Sequence, residues 1–194
     1  MTTKITGADI ARLCTEVHAD NVAAGWWSDL KTGERIERNV GELLMLVVTE
    51  LSEAADGLAG NLMDDKLPHR QMVEVELADT AIRIFDLGGG LNLNIGRGFD
   101  ETDWRLRHRH FKRMGPTDCL LAVIGHISAA MEAHRKTCPR EMSLALALAL
   151  HGIFVLGELL ELDVMGAVAE KRQYNRSRLD HSREARLADG GKKC

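Results

Sequence analysis

Two acidic pairs, set at helical spacing inside apolar runs, constrain this chain more than any other feature. Glu50 and Glu53 lie three residues apart in GELLMLVVTELSEAADGL, and Glu76 and Asp79 repeat the spacing in MVEVELADTAIRIFDL. Residues three apart share a helix face, so each pair can aim two carboxylates at one place. Carboxylates pressed into an apolar helical layer repel one another and are costly to bury. A hard divalent cation removes both penalties. The two helices therefore read as facing jaws around Mg²⁺ or Mn²⁺, able to hold a phosphorylated substrate.

The rest of the chain agrees with a helical frame. Alanine and leucine are abundant, aromatics make up 4% and there are three prolines, a balance that favours helix over sheet. At 194 residues the chain is long enough for one domain with a sizeable core. A formal charge of −4 argues against a general attraction to nucleic acid. Cys14, Cys119, Cys138 and Cys194 form no Cys-x-x-Cys pair, so a reducing compartment such as the cytoplasm is expected. The opening segment TTKITGADIARLC has no long apolar core and does not read as a signal peptide. The run MSLALALALHGIFVLGELL is interrupted by His151 and Gly152 and ends in Glu158 and Glu161. It reads as a buried helix, with no membrane partner expected.

Periodicity and turn residues predict a first helix over Thr6–Ala24, a second over Asn39–Leu62 and a third over Gln71–Leu87. Asn39 is the expected cap of the second, with Glu42 as its capping-box partner. Gly88-Gly89-Gly90 is expected to end the third. Leu91–Met114 reads as a long connector carrying the basic block Arg105–Arg113. Helices over Thr117–Lys136, Arg140–Leu162 and Val164–Arg176 follow, and the tail from Leu179 is polar. The fold expected is a single all-α domain over 1–194, a helical bundle with residues 97–160 as a helical insertion.

Four carboxylates, with phosphate oxygens and waters, would complete octahedral shells for two or more ions. Glu50 and Glu53 are the expected catalytic carboxylates, with Glu53 activating water. Asp86 lies two turns beyond Asp79 on nearly the same face, where it can support a substrate group or cap the helix end. Glu74 and Asp56 turn away and are expected at the surface. A di-iron bundle needs Glu-x-x-His motifs, and the chain has none. The glycine run lacks the residues of a P-loop. Trp26 and Trp27 can stack on a base or anchor a core. His18, Asn21 and Asn94 can read a base edge. The basic block has three uses open to it: solvated loop, subunit contact or, least expected, RNA binding.

Glu50-Leu51-Ser52-Glu53 and Glu76-Leu77-Ala78-Asp79, with their surroundings VTELSEAADGL and VEVELADTAIRIFDL, resemble the MazG-like all-alpha nucleoside triphosphate pyrophosphatases. The tail EKRQYNRSRLDHSREARLADGGKKC is similar to a terminal motif of small relatives, through Lys171, Asn175, Arg178, His181 and Lys192. The resemblance covers about residues 8–96 and 160–193. It implies Mg²⁺- or Mn²⁺-dependent cleavage between the α and β phosphates, releasing a nucleoside monophosphate and pyrophosphate. It also implies a homodimer or homotetramer. Lys171, Asn175, Arg178 and Lys192, with Lys31 in support, are then the expected phosphate contacts, and His181 a supporting residue. Similar enzymes include phage nucleotide-pool proteins, which makes dGTP or GTP the expected substrate and a host cytoplasm the expected location. The contrasting expectation is a non-catalytic, nucleotide- or cation-binding regulatory helical protein.

Overall fold

A computed structural model describes residues 5–102, 104–178 and 183–188. The chain forms α1 (Gly7–Ala23), α2 (Val40–Gly60), α3 (Met72–Gly90), α4 (Ile95–Glu101), α5 (Trp104–Phe111), α6 (Pro116–Arg135), α7 (Pro139–Leu159), α8 (Val164–Ser177) and α9 (Arg183–Leu187). Among the described residues there is no β-sheet, only the isolated bridges Ser28–Arg35 and Met63–Gln71. The all-α expectation holds.

α3 is the axis of the bundle. It packs against α1, α2, α7 and α8, which accounts for its burial on nearly every side. α6 and α7 form a second helix pair that meets the first layer through α2 and α3. One continuous apolar cluster joins Ile10, Val47, Leu77, Phe85, Val123 and Leu150. α7 is the described helix long and apolar enough to cross a membrane, and 72% of its most apolar stretch is buried in the fold.

Local chemistry sets the helix starts. Thr6 and Asp9 form a reciprocal capping box at α1. Asn39 caps α2 by accepting the Glu42 N–H at 3.1 Å. Glu42 does not complete the expected box, because its carboxylate lies 3.5 Å from Arg38 instead. α2 stops at Asn61, which adopts a left-handed φ of 47°.

Two expectations are corrected. The triple glycine does not end α3, which runs on to Gly90. A Cβ on Gly89 would lie 2.4 Å from the Cys14 carbonyl oxygen, and one on Gly90 would lie 2.2 Å from the Trp27 ring. These glycines serve close approach rather than termination. The connector Leu91–Met114 is also largely helical. Asn94 accepts the Arg97 N–H at 3.3 Å and so caps α4, whose Ile95 and Phe99 are buried. Helices of seven or eight residues are too short to declare a period.

Candidate metal centre

On α2, Val40, Leu44, Val47, Leu51 and Ala54 make the buried stripe. Glu50 sits at the edge of that stripe and is 7% exposed. Glu53 lies about 60° further round the helix and is exposed. On α3, Glu76 is buried and Asp79 nearly so, because neighbouring helices enclose this axis.

Glu50, Glu76 and Asp79 each offer an oxygen, and these oxygens all lie within 4.8 Å of one another. Two protein cations balance them. The Lys171 ammonium, on α8, lies 2.7 Å from Asp79 Oδ2. Arg83, one turn beyond Asp79, donates from Nε to Glu50 Oε1 at 2.5 Å, and its Nη2 pairs with the same oxygen.

Burial pushes the Glu76 carboxyl up to about 9, helped by its hydrogen bond with Glu50 and by the charges of Asp79 and Glu50. Burial likewise raises Asp79, to about 6, against the pull of Lys171. Lys171 is desolvated, which works against its charge, yet the charge of Asp79 and the hydrogen bond to it hold its pKa above the usual lysine value.

One atom in this cluster has no protein partner: Glu76 Oε2 is buried without a hydrogen bond. An orphaned carboxylate oxygen among three converging carboxylates fits a hard divalent cation, which takes oxygen ligands and pairs with several negative charges. The described residues supply one such triad, enough for a single ion. Glu53 stands outside the triad and is exposed.

The α8 cation Lys171 is held in register by a part-buried clamp. Arg70 bonds Glu74 at 2.8 Å and Glu170 at 2.7 Å, and Glu74 accepts the Asp163 N–H at 2.7 Å. Glu74 was expected at the surface. It is 7% exposed because α8 lies over that side of α3. Asp56 is exposed, as expected. Arg172 adds bonds to Asp20 and Glu16, tying α8 to α1.

The other expected site residues are spread more widely. Asn175, one turn after Lys171, has a buried Oδ1 with no hydrogen-bond partner. Arg178 follows α8, its guanidinium 5.6 Å from the Tyr174 ring centre. Lys31 is exposed in the loop before α2. Lys192 and His181 lie outside the described residues. Asp86 is buried, accepting from Trp27 Nε1 at 2.9 Å and meeting His18 Nδ1 at 2.9 Å. Trp27 is itself buried, edge-on to His18. Trp26 carries the Arg186 guanidinium 3.6 Å above its ring. Asn21 is half-buried and its carbonyl accepts the Trp26 N–H, while Asn94 serves as the α4 cap.

Arg83 and Arg70 were not legible as site residues. Arg83 did carry a signal: it lies four residues after Asp79, and hence on that face of α3. Comparison with protein-family models, with curated proteins and with solved structures finds no match.

Proposed function

We propose that this protein is a Mg²⁺- or Mn²⁺-dependent nucleoside triphosphate pyrophosphohydrolase of the MazG-like kind. The observation that carries the reading is the buried convergence of Glu50, Glu76 and Asp79, with Glu76 Oε2 left without a protein partner. The resemblance of both acidic motifs, and of the tail, to that family supports it.

In this reading Glu50, Glu76 and Asp79 hold the cation. A bound divalent ion supplies charge stabilisation for phosphoryl oxygens and lowers the pKa of water. Glu53, exposed beside the triad, accepts the proton of the attacking water. A second ion would take Glu53 as a ligand. Lys171 on α8 and Arg178 at its end neutralise the phosphates, joined by Lys192 and Lys31, and Asn175 hydrogen-bonds a phosphate oxygen. His18, Asn21, Trp26, Trp27 and Asn94 are the base-side residues of the proposal, with Asp86 orienting His18 and Trp27 through its two hydrogen bonds. The preferred substrate is dGTP or GTP, cleaved between the α and β phosphates. The assembly is a homodimer or homotetramer in a host cytoplasm, and residues 97–160 are an insertion into the compact family pattern.

Pyrophosphate release from a panel of purified dNTPs and NTPs, with Mg²⁺ or Mn²⁺ added, tests this reading. The expected result is release from dGTP and GTP, lost when the metal is chelated. A panel with no release under either metal overturns it.

A further inference from the structure

We propose that Arg83 is a phosphate-contact residue, held in reserve on Glu50 until a divalent ion takes its place. The inference rests on the metal reading above and deepens it.

Three observations lead there. First, Arg83 spends two donors on a single oxygen of Glu50, which is one of the three candidate ligands. A cation bound at Glu50 competes directly with that guanidinium. Second, Arg83 is the accessible member of the pair. Its side chain is 37% exposed, against 9% for Glu50, whereas Lys171, the cation on Asp79, is 6% exposed. A ligand approaching from solvent therefore meets Arg83 before it meets Lys171. Third, the loaded cluster is positive. Three ionised carboxylates against Lys171, Arg83 and a divalent ion leave one positive charge.

A loaded site therefore attracts an anion just as Arg83 loses its carboxylate partner. A freed guanidinium presents a planar fork that matches phosphate oxygens in pairs. Its position on the Asp79 face of α3, one turn along, keeps it beside the ligands when it lets go of Glu50. The chemical class it recognises is a polyphosphate carried with the metal, independent of the base.

The test uses the full chain, with Mn²⁺ alone and then inorganic tripolyphosphate at saturating Mn²⁺ as probes. The two arms move in opposite directions. Arg83→Gln removes an internal competitor, so Mn²⁺ binds more tightly, by about 5-fold for a partly exposed pair. The same variant loses the charged phosphate contact, so tripolyphosphate binds about 10-fold more weakly. Arg83→Lys keeps the charge and loses the fork; it holds Mn²⁺ affinity near wild type and still weakens tripolyphosphate. Should Arg83→Gln show no cooperative melt, the lysine variant decides alone. Unchanged or weaker Mn²⁺ binding in a folded Arg83→Gln protein overturns the inference, as does unchanged tripolyphosphate binding in either variant. A wild-type protein that takes up no Mn²⁺ overturns the metal reading itself.

Discussion

The Lys171 ammonium lies 2.7 Å from Asp79 Oδ2, joining α8 to α3 across 92 positions of sequence at a place where both side chains are largely buried. Breaking a buried pair strands the remaining charge, which costs more than the pair contributes. Lys171→Met is expected to lower metal-free stability by about 3 kcal/mol. Millimolar Mn²⁺ should restore part of the loss by taking over as the counter-ion of Asp79. Urea denaturation with and without Mn²⁺ measures both; equal stability of variant and wild type in metal-free buffer refutes the expectation.

The raised carboxyl of Glu76 gives a signed pH dependence. Its ordinary value is 4.5 and its folded value about 9. Between these limits the folded protein keeps a proton that the unfolded chain gives up. Metal-free stability should therefore fall as pH rises across that window. Asp79 acts in the same direction between 3.8 and about 6. Binding of a cation must expel the Glu76 proton, so Mn²⁺ affinity should rise with pH up to about 9. Calorimetric titrations in buffers of different ionisation enthalpy count the proton. Glu76→Gln should flatten the stability profile in the upper part of the window.

Glu53 and Glu50 should separate chemistry from architecture. Glu53 is exposed, so Glu53→Gln is expected to stay within about 0.5 kcal/mol of wild-type stability. It should nonetheless lower turnover by about 10²-fold or more if it is the general base. Glu50→Gln should instead weaken Mn²⁺ binding. A Glu53→Gln enzyme with full pyrophosphate release would remove Glu53 from the mechanism.

Gly89 offers a prediction against the usual helix rule. Glycine to alanine inside a helix ordinarily stabilises by about 1 kcal/mol. Here the new methyl would meet the Cys14 carbonyl oxygen at 2.4 Å and the His18 Cβ at 2.4 Å. Backbone cannot swing aside as a side-chain tip can. Gly89→Ala should therefore destabilise by about 2 kcal/mol or more, as overpacking does. A raised melting temperature would show that α1 moves freely away from α3.

The legible part of the candidate site was its ligand chemistry. Carboxylates at helical spacing in apolar runs announced Glu50, Glu76 and Asp79 because periodicity is a local property of the chain. Lys171 was named only through the resemblance of the tail, and as a phosphate contact; its ion pair with Asp79 was not legible. Nothing local distinguished Glu53 from Glu50, since the two differ only by a small rotation about α2 relative to its apolar stripe. Glu74 was misplaced at the surface because its burial depends on α8, nearly a hundred residues downstream. The helices α4 and α5 were missed because seven or eight residues carry too few turns to show a period.

By itself, then, the amino-acid order determined that the chain is helical, where its long helices start, and which two of them carry paired acids. Those properties follow from caps, spacing and composition within a few turns. Tertiary structure alone decided which acids are buried and which cations answer them: Arg83 on Glu50 and Lys171 on Asp79. It also decided that three glycines continue a helix, because Cys14, His18 and Trp27 occupy the space their side chains would need. Burial and charge pairing arise between segments far apart in sequence, and only their packing brings them within a few ångströms.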